Sequence, residues 1–279
     1  MSTHLLGATL IYLFIRLATC GFSGGEPLKE QCGVRFSKIM PGNWPFHVAL
    51  YGAVATVPPR YKYICGGTLI GIRTVLTAAH CVVEHDSIAL NETLLQIYAG
   101  IYSLESVKYS TPYNVSSIVI HEDYNVNRLA NDVALLKLIE SVSLNQFVQP
   151  ACVWPVSDNN KTIDGTSAHA VAWGLDENER FSKTLVETSD RLPPSEDCYR
   201  QVGQLLVENN SLICARTKVC NGSGGSGLYV QQNETIYVVG IVSFGPTMGP
   251  SRRCGVNTLT AFSDVAKYYD WIKTNSDAD

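Results

Sequence analysis

The sequence predicts an all-β fold closed by one C-terminal α-helix. Short runs rich in β-branched, aliphatic and aromatic residues recur from residue 46 onward, separated by turn formers, at 46–51, 67–70, 74–78, 94–98, 117–121, 133–138, 168–172 and 236–243. Short runs at this spacing belong to a barrel or sandwich, because alternating β-α units would interpose long helical patterns between strands. Near the end, Val265, Tyr268, Trp271 and Ile272 recur at helical spacing, and Asp264 stands before them as a side chain able to cap the first turn.

The N-terminal end reads differently. The stretch from Leu5 to Ala18 is apolar but short for a membrane span, and Ala18-Thr19-Cys20 fits a small-x-small cleavage site. Residues 1–20 are therefore expected to be a secretory signal peptide, residues 21–31 a short polar leader containing Gly24-Gly25 and Pro27, and residues 32–279 one domain undivided by any linker. No later stretch is long and apolar enough to span a bilayer, so no membrane association is expected once the signal is removed. A net charge of -4 and a pI near 5.9 argue against nucleic acid, heparin or anionic lipid as the main partner.

Of nine cysteines, removal of Cys20 with the signal leaves eight, an even number suited to four disulfides in an oxidising compartment. The count alone leaves about 105 pairings open. No C-x-x-C pair occurs, so neither a metal nor another cofactor is expected. Six Asn-x-Ser/Thr sequons, at Asn91, Asn114, Asn160, Asn209, Asn221 and Asn233, point to a glycosylated, secreted, extracellular protein.

Five stretches of residues carry the chemistry or frame it. Thr77-Ala78-Ala79-His80-Cys81 follows Cys65 by a fixed interval; Asn131-Asp132-Val133-Ala134-Leu135-Leu136 comes fifty-two residues after the histidine; Cys220-Asn221-Gly222-Ser223-Gly224-Gly225-Ser226-Gly227-Leu228 forms a glycine-rich loop; Val171-Ala172-Trp173-Gly174 and Ser243-Phe244-Gly245 flank it. A lone histidine is usually a surface residue and a lone aspartate before a strand usually structural, but in this order and spacing they resemble the trypsin-like (S1) serine proteases. The stretch 41–51 resembles the first strand of arthropod clip-type proteases and their homologues, and the whole resemblance covers residues 32 to 275.

The resemblance implies a trypsin-like double β-barrel with a C-terminal α-helix. It implies that His80 is the general base and Asp132 the buried carboxylate that orients it, and that the amides of Gly222 and Gly224 form the oxyanion hole. Lys218, Ser243, Gly245 and Thr260 would line the substrate pocket. The disulfides implied are Cys65–Cys81, Cys198–Cys214, Cys220–Cys254 and Cys32–Cys152.

The resemblance breaks at its chemical centre. Read without gaps, Gly224 stands where the family has its nucleophilic serine, and Ser223 where it has the aspartate that pairs with a new amino terminus. The stretch 35–45 lacks an Ile-Val-Gly-Gly cleavage site, and Pro45 follows Ile39 by only six positions. An extended chain advances at most about 3.6 Å per residue, too little for an end created after Lys38 to reach the pocket. Lys218 replaces the pocket aspartate of trypsin-like members, and Thr260 replaces a wall glycine.

The expected function is accordingly a secreted serine protease homologue that has lost its serine and binds an active protease or its substrate in an extracellular, innate-immune cascade. An alternative alignment makes Ser223 the nucleophile of an active endopeptidase with His80 and Asp132. A third reading is a recognition or adhesive protein acting alone.

Overall fold

Two sheets organise the chain in the computed structural model, which describes residues 32–34, 44–54, 56–84, 88–128, 130–155, 163–174, 182–202, 211–217, 222–245, 247–248, 253–254 and 259–276. The first is a closed antiparallel barrel of β1 (His47–Val54), β2 (Arg60–Leu69), β3 (Thr74–Thr77), β4 (Leu95–Ala99), β5 (Tyr113–Ile120) and β6 (Ala134–Leu138), in the order β1-β2-β3-β6-β5-β4. Every residue of β3 and β6 is buried, as barrel strands covered on both faces must be. Phe46, Leu50, Leu69, Leu76, Ile97 and Leu135 fill the interior.

The second sheet takes β7 (Cys152–Val153), β8 (Ser167–Ala172), β9 (Val186–Arg191), β10 (Leu212–Arg216), β11 (Gly227–Gln232), β12 (Thr235–Phe244) and β15 (Leu259–Asp264). Its order is β10-β15-β12-β11-β8-β9, with β7 running parallel to β12. The sheet curls until its ends meet, where Arg216 N donates to the Asp190 carboxylate at 3.0 Å. The short strands β13 (Thr247–Met248) and β14 (Arg253–Cys254) pair beside it. The expected all-β architecture of two barrels and a C-terminal helix is the one formed.

Two local expectations need correction. Besides the closing helix there is α1 (Ser195–Val202), whose Tyr199 hydroxyl bonds both backbone groups of Leu212 in β10 at 3.3 Å. Its largely polar sequence gives no long apolar stripe to read. At the C-terminus, Asp264 Oδ1 accepts from Ala266 N at 3.1 Å, so it caps a 3-10 turn over Val265–Tyr268, and α2 (Tyr269–Asn275) begins only afterwards.

The seam between the barrels holds polar groups in pairs. Thr68 Oγ1 and Tyr229 Oη lie 2.8 Å apart, Tyr63 Oη donates to Trp173 O at 3.0 Å, and Trp44 Nε1 donates to Glu187 Oε2 at 3.0 Å. Sulfur–sulfur bonds join Cys32 to Cys152, Cys65 to Cys81 and Cys198 to Cys214. Cys220 lies outside the described residues, as does the side chain of Cys254.

Candidate functional site

The seam places His80, in the 3-10 turn Ala79–Cys81, opposite the loop 222–226 that leads into β11. Asp132 precedes β6 and is fully buried. Its carboxylate is held from three sides. Oδ1 accepts from His80 N at 2.9 Å, and Oδ2 accepts from His80 Nδ1 at 2.8 Å and from Ser243 Oγ at 2.5 Å. Ser263 Oγ donates to its main-chain oxygen at 2.8 Å. A buried carboxylate without such donors would be costly; here the donors fix it and leave one imidazole tautomer, with Nδ1–H on the aspartate and Nε2 free to accept.

Burial disfavours the charged imidazole, yet the charge and hydrogen bond of Asp132 outweigh this, and the His80 pKa lies above its ordinary value. The His80 side chain is 28% exposed, so it faces the cleft. The dyad thus has the geometry a general base needs, an imidazole facing the cleft with a carboxylate holding its other nitrogen.

Position 224 lies where the base points. A β-carbon built on Gly224 would sit 2.4 Å from His80 Nε2 and 3.0 Å from its Cε1, closer than real atoms pack. The imidazole thus occupies the space that a side chain at 224 would need. Ser223, the neighbouring hydroxyl, is fully buried, and its Oγ has no hydrogen-bond partner among the described residues, so it makes no bond to His80.

The loop is pinned by its backbone. Gly66 N donates to Gly224 O at 2.9 Å, Gly225 N to Val242 O at 2.9 Å, and Ser226 N to Ser223 O at 3.1 Å. Gly222 and Gly225 adopt positive φ of 88° and 73°, and a β-carbon at Gly225 would meet Thr77 Oγ1 at 2.2 Å. These are positions only glycine fills comfortably. Between them, Gly224 is the loop residue whose β-carbon position faces His80 Nε2.

Beside Asp132, Ser243 lies at the end of β12 and Gly245 just after it. Thr260, in β15, bonds Thr217 through their hydroxyls at 2.9 Å, both residues being buried. A β-carbon at Gly245 would lie 3.9 Å from Thr260 Oγ1, so this threonine narrows the space beside Gly245. Lys218 and Asn221 lie outside the described residues, as do 35–43 with Lys38 and Ile39, the sequons at Asn160 and Asn209, and the signal and leader 1–31.

Sequence reasoning misses two partners. It gives Ser243 only as a pocket residue, whereas the hydroxyl holds the Asp132 carboxylate, and it does not mark Thr217 at all. Neither contact leaves a local signal, because each joins residues far apart in the chain. His80 Nε2 also lies 3.6 Å from Cys81 Sγ, and His80 comes together with Cys65 and Cys81. The two sulfurs are bonded to each other and offer no thiolate to a metal.

A family model described as Trypsin matches residues 34–272. The chain is 29% identical over 238 residues to coagulation factor XI of Bos taurus, covering 83% of this chain but 36% of that one. It is 27% identical over 275 residues to CLIP domain-containing serine protease B4 of Anopheles gambiae, covering 89% and 73%. To chymotrypsin-C of Rattus norvegicus it is 28% identical over 278 residues, covering 96% and 98%.

Proposed function

The chain belongs to the trypsin family, and from that premise we propose that it is a non-catalytic member that works by binding other proteins. The observation carrying this reading is the seat of Gly224: the base has its carboxylate but only a glycine before Nε2, 2.4 Å from where a β-carbon would stand. In serine proteases, removing the nucleophile lowers turnover by about 10⁶, and the ~10³–10⁴ over water that remains comes from binding and the oxyanion hole. That residue of rate is no basis for proteolysis. Ser223, buried and bonded to nothing among the described residues, supports the same reading twice, as neither a nucleophile nor an acid that a cleaved amino terminus could pair with.

The retained cleft is then a recognition surface. Ser243 and Gly245 would form one wall, with the bonded pair Thr217–Thr260 beside it, where Thr260 Oγ1 stands 3.9 Å from a β-carbon position on Gly245. On this reading the amides of Gly222 and Gly224 have no reaction to serve. Residues 1–20 act as signal peptide, 21–31 as leader and 32–279 as the exported domain; the three described disulfides support an oxidising destination. The protein engages an active protease or its substrate in an extracellular cascade.

The test is active-site labelling of the purified full chain with a fluorophosphonate probe, followed by affinity capture from the native fluid. No covalent label and retention of a protease or its substrate are expected. Label on Ser223 would establish the endopeptidase alternative instead. Capture of neither protease nor substrate, with the chain still adhering to surfaces, would establish a protein acting alone.

A further inference from the structure

Three of the six sequons fall on described residues, and their surroundings differ. At Asn114, on β5, the sequon hydroxyl of Ser116 is committed to the neighbouring strand β6, donating to Lys137 O at 3.1 Å. Asn233 is the first of two residues with positive φ, 48° and 68°, in the β11–β12 turn, and its Thr235 is already paired with Gln232. At Asn91 the sequon closes on itself: Thr93 Oγ1 donates to Asn91 Oδ1 at 2.7 Å, and Thr93 N donates to the same oxygen at 3.0 Å. Both residues are exposed. With Oδ1 taken by two donors, Nδ2 on the other arm of the carboxamide is left to solvent. These bonds span two residues and need no tertiary contact, so the nascent chain can form them before folding.

The surface around Asn91 supplies a second, independent observation. Ile88 is 64% exposed and Leu94 42% exposed, three residues to either side. The segment folds back on the chain just after the base, with Leu90 N donating to Val82 O at 2.8 Å and Val83 bridging to Ala89. Two exposed aliphatic side chains therefore flank the asparagine in sequence, in a segment tied to residues 82 and 83.

We propose that Asn91 carries an N-linked glycan and that this glycan covers the Ile88 and Leu94 surface. The sugar comes from a lipid-linked oligosaccharyl diphosphate. Nδ2 forms a bond to the anomeric carbon, that carbon's bond to the diphosphate oxygen breaks with its electron pair leaving on the lipid diphosphate, and the Nδ2 proton passes to the transferring enzyme. The glycan's apolar ring faces and its hydration then lie over aliphatic surface that otherwise meets water. The proposal is independent of whether the cleft is catalytic, since nothing in it involves Nε2 of His80.

The test uses the full chain secreted from eukaryotic cells. Digestion with peptide N-glycosidase in ¹⁸O-water, followed by peptide mapping, should give ¹⁸O-labelled aspartate at position 91. Asn91→Gln and Thr93→Ala should each lose the mass of one glycan, while Thr93→Ser keeps it. Enzymatic deglycosylation of the native protein, which needs no variant, should raise binding of an apolar dye; prior loss of the Asn91 glycan alone, in Asn91→Gln, should account for that rise. Unlabelled asparagine at 91 in the secreted chain would overturn the modification, and dye binding unchanged by its removal would overturn the covering role.

Discussion

At residue 224 the difference between a hydrogen atom and a hydroxymethyl group also decides where His80 rests. With nothing on Gly224 to push it away, the imidazole lies 2.4 Å from the β-carbon position while Asp132 grips its other nitrogen at 2.8 Å. Gly224→Ser must therefore displace a ring that a buried carboxylate holds, and placement errors of about 1 Å already cost ~10²-fold in such sites. On the proposed reading Ser223 is a second obstacle, because its buried hydroxyl carries no charge to pair with a new amino terminus. The expected outcome for Gly224→Ser is peptide-anilide hydrolysis still at background and at most slow fluorophosphonate labelling; rapid stoichiometric labelling would show that the site needs only an oxygen. A companion prediction concerns the base itself. Asp132 is what holds the His80 pKa up against burial, so Asp132→Asn should lower it below that of the parent chain, read from the His80 Cε1 proton by NMR titration.

The elements differ in how much of themselves is written into the sequence. Strands β1, β3, β4 and β6 carry β-branched and aliphatic runs bounded by turns, and they are legible. The polar β9, with its sequence Val-Glu-Thr-Ser-Asp-Arg, is not, since an edge strand held mainly by ladder bonds need not alternate. Nor are β11, which opens on Gly227 and ends on two glutamines, and β15, whose Thr260, Ala261 and Ser263 break up the apolar run. His80 and Asp132 can be named from short motifs because their neighbours in sequence carry the signal. The hydroxyls that complete the site cannot, because they depend on strands meeting across the seam. The bond from Thr217 to Thr260 is of that kind and makes a prediction at this scale. Thr217→Val keeps the shape but strands the buried Thr260 hydroxyl, at a cost of about 1–3 kcal/mol, whereas removing both hydroxyls can be nearly neutral. Urea unfolding should show a lower midpoint for Thr217→Val with unchanged slope, recovering in the double variant Thr217→Val, Thr260→Val. Equal losses in the single and double variants would mean that the pair contributes nothing as a pair.

At the scale of the molecule, the two barrels meet around a group that no partner among the described residues satisfies. His47 opens β1, is 1% exposed, and packs 4.9 Å from the Trp173 ring of the second barrel. Neither ring nitrogen has a hydrogen-bond partner there, and burial pulls its pKa from 6.5 down to about 3. The folded value is thus depressed for a base. As pH falls below 6.5 the unfolded chain takes up a proton that the folded chain refuses, so stability is lost from there down to about pH 3. His80 has the opposite sign: its raised folded value adds stability below 6.5 that is lost as pH rises through the folded pKa. A tenfold change in proton affinity corresponds to about 1.4 kcal/mol, which puts the acid loss from His47 at a few kcal/mol. His47→Leu removes this titration while leaving His80 and every carboxylate in place, so the difference between the two chains isolates it. The parent and the variant should converge towards a constant stability difference above pH 7, and the variant should lose stability less steeply between pH 6.5 and 3, with an acid-unfolding midpoint at lower pH. Parallel curves across that range would mean that the folded chain protonates His47 as readily as the unfolded one, and that water reaches the seam between the barrels.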